Sequence, residues 1–596
     1  MSSLIGLVLL ICVHQSVSQT PITVTTPMGN IMGERTPYAY QDLQAGIDID
    51  TTVDIFRGIP YAKPPVGDLR FAKPQAMEPW GETVYNATYF RPICWQIVVD
   101  NSTADGQSED CLHLNIFSPN AEGSGYPVFI RIHGGGFIQG TGNGASYDGR
   151  PITPLSNVVF VAMNYRLSAF GFLATGEQEM LGNYGLWDQQ MSLKWIKENI
   201  HAFGGDPNNI TIMGQSAGGA SVGFHLIAQQ SWDYFNRGIL MSGNMMAPWG
   251  IELDTEKARN DAYLVGRLAG CGDATTSREL RDCLRDVDEQ RLIAAANAAL
   301  ATTTNVIPLV PTIDGEFITD DPRYLLEQKK FKMCDVMLGN TKDDGSLVAM
   351  RAYPGQLPRL QPTSDYETFL DRVARFTYTY TNDVIVNSIA QQYLDWEDFD
   401  DPETNYFYKY IELITDEAFH CPGEHTARAY AMSGNSVYRY YFTYLRPGTT
   451  QFPTWYGVGH SNDLQYVFAY NMNPLLDRTF NAKEKEFSLE LMRYYTNFAK
   501  TGDPNKGSPV TLPWEPFTVP GLNILEETPD FIAIPGDRAE FNAFWNDYVL
   551  KLVTYSADLS EVEHQWREEF NRWKNDDLPA WRLDFQEYQD SDQCDV

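Results

Sequence analysis

The sequence predicts an α/β fold: a large, mostly parallel sheet flanked by helices. Three observations carry that expectation. Residues 128–132 (Val-Phe-Ile-Arg-Ile) and 210–213 (Ile-Thr-Ile-Met) are short, apolar, β-branched runs of the kind that form buried strands. Each ends in a glycine-rich turn, His133-Gly134-Gly135-Gly136-Phe137 and Gly214-Gln215-Ser216-Ala217-Gly218-Gly219-Ala220. Residues 221–227 then read as a helix directly after the second turn.

Strand, G-x-S-x-G, helix is the context of a nucleophile elbow, and it narrows the class to the α/β-hydrolase fold. The glycines have a steric purpose. A serine held in so sharp a turn leaves no room for side chains at the flanking positions. Ser216 is therefore the candidate nucleophile. The glycine run after the first strand bares backbone N–H groups, and the residue after the nucleophile supplies another. Gly135, Gly136 and Ala217 are the candidate oxyanion-hole donors, which would stabilise a tetrahedral intermediate.

This fold orders its catalytic groups as serine, acid, histidine. Of the nine histidines, His14 lies in the leader, and His113, His133, His201 and His225 precede the expected acid. His420 and His425 flank Cys421, and His564 is in the tail. His460, in the glycine-bearing loop Tyr456-Gly457-Val458-Gly459-His460-Ser461-Asn462-Asp463, is the candidate base. No metal and no cofactor are expected.

The 596 residues carry no Gly/Ser- or Pro-rich linker before about residue 556 and no internal repeat. The expected organisation is a signal peptide at 1–18, a catalytic domain at 19–556 and a tail at 557–596. The leader has an apolar run at residues 4–13, too short to span a bilayer, and small residues Ser16-Val17-Ser18 for cleavage. It predicts secretion. A net charge of −33 excludes nucleic acid as a natural partner and would steer cations or basic partners. Asn86, Asn101 and Asn209 occupy glycosylation sequons. Eight cysteines are present. Cys12 falls in the leader, Cys94/Cys111 and Cys271/Cys283 are close in sequence, and Cys334, Cys421 and Cys594 remain.

Further motifs add a family resemblance. Phe56-Arg57-Gly58-Ile59-Pro60-Tyr61-Ala62 with Pro64-Pro65 and Gly67, Ser108-Glu109-Asp110-Cys111-Leu112-His113-Leu114-Asn115-Ile116, Asn164-Tyr165-Arg166 and Phe203-Gly204-Gly205-Asp206-Pro207 appear in order. Over roughly residues 22–555 the chain resembles the carboxylesterase/cholinesterase family. The resemblance implies a serine esterase with its acid in the block Lys342-Asp343-Asp344-Gly345-Ser346. Aligned on Gly345-Ser346, Asp344 takes the acid's place, with Asp343 the alternative. Aspartate stands where the family has glutamate, so the loop must approach by one methylene more. His460 matches the family's catalytic histidine. The pairs Cys94/Cys111 and Cys271/Cys283 match family disulfides. Cys421 lacks its usual partner, since Asn542 or Ala543 stands there, and is either free or paired unusually, for instance with Cys334.

The tail resembles the tetramerisation tail of T-type cholinesterases. Trp566, Trp573 and Trp581, with Phe570, Phe585 and Tyr588, fall on one helical stripe. The resemblance implies a homo-oligomer, dimer or tetramer, wrapping a proline-rich anchoring protein, with Cys594 bridging subunits. Pro579 departs from a continuous helix.

The pocket departs from a choline site. Trp249, Tyr147 and Trp455 of the aromatic lining are kept. The segment between Cys94 and Cys111 is short and has only Trp95. Gln215 replaces a glutamate, Leu347 an aromatic and Arg351 a tyrosine, so a cation loses attractive partners. Asn305 and Ile307 stand for phenylalanines in the acyl pocket, which should take larger acyl groups than acetyl. The expected activity is general carboxylic-ester hydrolysis. The alternatives are a true acetyl- or butyrylcholinesterase and a non-catalytic adhesion protein of the same fold.

Overall fold

The computed structural model describes residues 19–555 except 43–45, 97–105, 303–308, 357–360, 378–381, 396, 398–400, 402, 449–452, 477–478 and 537. Of the tail it describes residues 566, 572–574, 578, 581–582 and 585. The leader at 1–18, Asn101, Asn305, Ile307, Pro579 and Cys594 lie outside the described residues.

The strands run β1 (Thr20–Thr26), β2 (Gly29–Asp42), β3 (Ile47–Pro60), β4 (Gly81–Asn86), β5 (His113–Ser118), β6 (Tyr126–Ile132), β7 (Val159–Met163), β8 (Gly205–Gln215), β9 (Arg237–Met241), β10 (Val336–Thr341), β11 (Val437–Phe442), β12 (Asn523–Glu527) and β13 (Ile532–Pro535). They form one 13-stranded sheet in the order β1-β2-β3-β5-β7-β6-β8-β9-β10-β11-β12-β13, with β4 on β2. The block from β7 to β12 is parallel, and the flanking strands pair antiparallel except for β4, which runs parallel to β2. This is the α/β-hydrolase architecture the sequence predicts.

The main helices are α1 (Tyr184–Asn199), α2 (Ala217–Ile227), α3 (Phe407–Thr415), α4 (Cys421–Met432) and α5 (Ala482–Thr501). Side chains alternate across a strand, so each parallel strand feeds two cores. Ile210 and Ile212 of β8 join the core that holds Leu193 of α1 and Val222 of α2, while Met213 joins the core that holds Leu491 and Tyr495 of α5. Both faces are covered, which is why these strands read as continuous apolar runs. The strands extend beyond the predicted runs because their polar ends still pair in register, Gln215 opposite Met241 for example.

The two disulfides are Cys94–Cys111 and Cys271–Cys283, as the resemblance implied. Cys334 and Cys421 are both free, so a Cys334–Cys421 bridge does not form. The reason is local. Cys421 is buried where Asn546 donates to its carbonyl at 2.9 Å and Asn542 donates to Glu424 at 2.9 Å. Cys334 lies among Lys332, Asp335 and Arg237. A polar network thus occupies the place of the missing cystine.

Asn209 is also committed. Its amide nitrogen donates to Lys500 O at 3.0 Å and its oxygen accepts from Arg237 at 2.6 Å. A glycan on that nitrogen would have to leave room for these two hydrogen bonds. Asn86 is exposed, its oxygen accepting from the Thr88 hydroxyl at 2.8 Å. Among the described residues no helix is long and apolar enough to cross a membrane. Of the tail stripe, Trp566, Trp573, Trp581 and Phe585 are exposed, with the Trp581 and Phe585 rings stacked 5.4 Å apart.

Candidate active site

Ser216 sits between the end of β8 and the start of α2, with φ 59° and ψ −127°. A non-glycine residue there carries strain of about 1–3 kcal/mol and persists only where the surroundings hold it. Here its N–H donates to Met241 O at 2.8 Å and its carbonyl accepts from Ala220 N–H at 2.9 Å. The glycines act as the sequence requires. A Cβ on Gly214 would lie 2.0 Å from Gly218 O, and one on Gly218 would lie 2.2 Å from Ile132 O. The helix begins at Ala217 rather than 221, because the turn winds straight into it.

The glycine run after β6 packs on this turn. A Cβ on Gly134 would stand 2.4 Å from Gln215 O and 3.0 Å from Ser216 Cβ. Gly135 and Gly136 have φ of 112° and 62°. Among the described residues none accepts a hydrogen bond from the N–H groups of Gly135, Gly136 or Ala217. His133, which opens the run, is stacked on Tyr165 at 4.2 Å, and burial holds it down at about 4. It is a neutral packing group.

The acid and base come from two more strand ends. Asp344 follows β10, and His460 is in the long loop after β11. His460 Nδ1 and Asp344 Oδ1 are 2.6 Å apart, with Asp344 fully buried. Asp344 Oδ2 accepts from Ser242 Oγ and Thr341 N, each at 2.9 Å. Nothing in the sequence marked Ser242 or Thr341. Asp343 does something else: its carboxylate accepts from Val458 N–H at 2.8 Å, and its N–H donates to Val458 O at 3.0 Å. Burial pushes its carboxyl up, against that N–H. The clip draws the histidine loop against the acid turn, which is the closer approach an aspartate needs.

On its other side His460 Nε2 meets the side-chain amide of Gln215 at 3.1 Å. Phe419 packs on the imidazole with ring centres 5.3 Å apart. Neither contact was foreseen, and Phe419 sits in no motif. Trp249 extends this wall, 5.7 Å from Phe419, its indole N–H donating to Ala418 O at 3.0 Å. Trp455 is buried against Phe407 at 5.3 Å. Tyr147 is not open on both faces: the Arg131 guanidinium lies over its ring at 4.0 Å. Leu347 is 39% exposed.

Below the site, Asp463 is fully buried three residues after His460, 3.4 Å from the Tyr440 hydroxyl. Burial, then the charge of Asp344, pushes its carboxyl up to about 7. Among the described residues no cluster could hold a metal ion.

Comparison with known proteins identifies the family of the chain. The model of the carboxylesterase family matches residues 20–536. An acetylcholinesterase of Bungarus fasciatus is 36% identical over 605 residues, covering 98% of this chain and 96% of the relative. An acetylcholinesterase of Danio rerio is 32% identical, covering 97% and 96%. A cholinesterase of Mus musculus is 32% identical, covering 98% and 96%.

Proposed function

Because the chain belongs to the carboxylesterase family, we propose that it is a secreted serine carboxylic-ester hydrolase working through an acyl-enzyme on Ser216. The observation that carries this reading is the Asp344–His460 pair, held against the turn that strains Ser216. The buried Asp344 carboxylate keeps the imidazole proton on Nδ1, leaving Nε2 to take the Ser216 hydroxyl proton. The serine oxygen adds to the ester carbonyl, and the resulting oxyanion is received by the N–H groups of Gly135, Gly136 and Ala217. Collapse expels the alcohol, which takes the proton from His460. Water then adds to the acyl carbonyl as His460 takes its proton, and collapse returns that proton to Ser216 Oγ and releases the acid.

Neutral esters are the substrates we favour. Gln215 offers no charge to a cation, Leu347 offers no aromatic face, and the Tyr147 ring already holds a guanidinium. A second reading, acetyl or butyryl choline esters, is favoured by the −33 charge, which would steer cations, and by the likeness to acetylcholinesterases. The test is kcat/KM for a choline ester beside its isosteric neutral ester. A neutral preference supports the first reading; a large cationic preference replaces it with the second. Failure to hydrolyse either, with no organophosphate label on Ser216, rejects esterase function.

A further inference from the structure

Gln215 is the last residue of β8, and only 7% of it is exposed. Its amide lies 3.1 Å from His460 Nε2, across 245 positions of sequence. The direction of that bond follows from the opposite side of the ring. An ionised carboxylate accepts only, so the 2.6 Å contact with Asp344 places the imidazole proton on Nδ1 and the lone pair on Nε2. The partner at Nε2 must then be the Gln215 N–H₂. The lone pair needed to take the serine proton is occupied by a donor from the residue next to that serine.

We propose that Gln215 is a positioning residue for His460: in the resting protein its amide N–H₂ donates to the Nε2 lone pair and so favours the neutral ring. This rests on the esterase reading above. The proton balance leaves Gln215 unchanged. The proton passes from Ser216 Oγ to His460 Nε2 as the new C–O bond forms. The Gln215 N–H leaves the Nε2 lone pair as that transfer occurs, and the departing alcohol later takes the proton from Nε2. As a donor to the lone pair, the amide stabilises the neutral ring. A carboxylate at this position could hold only the protonated ring. The charged and titratable groups facing the imidazole are Asp344, from the turn after β10, and Asp463, from its own loop. Phe419, from the segment before α4, covers the ring without charge.

Gln215 thus favours the neutral base. The experiment follows the pH midpoint of His460 by NMR of protein carrying ¹³C-labelled histidine, assigned by subtraction with His460→Ala. It is paired with the acid limb of kcat/KM for naphthyl acetate. Gln215→Met keeps the length and loses the donor, so both midpoints should rise by about 0.5–1 unit. Gln215→Glu adds a charge that favours imidazolium, and both should rise by about 1–2 units. A role limited to packing would lower kcat or the melting temperature without moving either midpoint. Coincident NMR midpoints in the wild type and both variants overturn the proposal. Because NMR reads the imidazole without turnover, an inactive wild type with shifted variant midpoints would reject the esterase reading and not the Gln215 contact.

Discussion

Asp343 and Val458 exchange two hydrogen bonds, N–H to carbonyl at 3.0 Å and N–H to carboxylate at 2.8 Å. The neighbouring Asp344 is left to face His460. The two adjacent aspartates therefore have separable tasks. Asp344→Asn should lower kcat by about 10⁴, since a neutral amide no longer enforces the tautomer. Asp343→Asn should chiefly loosen the loop, lowering the melting temperature with a smaller loss of kcat. Steady-state kinetics beside thermal denaturation separates them, and the reverse pattern would exchange the two roles.

Ser216→Ala and His460→Ala should each abolish ester hydrolysis and leave the melting temperature within a few degrees of wild type. An organophosphate should modify Ser216 alone, read by peptide mass spectrometry. Since only a neutral imidazole accepts a proton, kcat/KM should fall on the acid side as the base becomes protonated. A rate that stays level down to pH 5 would argue against a histidine base.

Asp463 gives a pH signature in stability. Its folded carboxyl is pushed up to about 7, well above an unfolded aspartate. Between about pH 4 and 7 the folded protein holds a proton that the unfolded chain has released. Its contribution is thus fully present below the unfolded value and is lost as pH rises through 7. Asp463→Asn is neutral throughout and escapes that loss. The melting temperature of Asp463→Asn minus that of wild type should be near zero at pH 4 and clearly positive at pH 8. A difference that does not change with pH would mean Asp463 is ionised in the fold.

Deleting residues 557–596 should leave hydrolysis per active site unchanged and convert higher oligomers to dimers or monomers. Trp566, Trp573 and Trp581 are 60%, 50% and 60% exposed. A proline-rich rod covering them would remove apolar area worth about 1.5–3 kcal/mol per well-buried large side chain. Replacing the three by alanine should abolish association with a polyproline peptide, while Cys594→Ser should remove disulfide dimers on a non-reducing gel. Pro579→Met should strengthen the rod contact if the proline kinks the tail. Sedimentation with and without the peptide reads these outcomes. If neither wild type nor Pro579→Met forms a tetramer, the tail is not an assembly domain.

What the sequence determined by itself was local. The apolar runs at 128–132 and 210–213, the glycines of the elbow and the helix after it follow from sterics and patterning among residues a few positions apart, and their places agree with the structure. The serine–acid–histidine order also pointed to His460, and the family resemblance implied the disulfides. Tertiary structure alone decided which of Asp343 and Asp344 meets the imidazole, because the choice depends on a loop 116 positions away. It likewise decided that Gln215 reaches His460, that Phe419 covers the ring, and that Cys421 sits in a polar network instead of a cystine. Each of these rests on one contact between chain segments far apart in sequence. No period or propensity records such a contact, because it exists only once the strand ends of the sheet have brought the loops together.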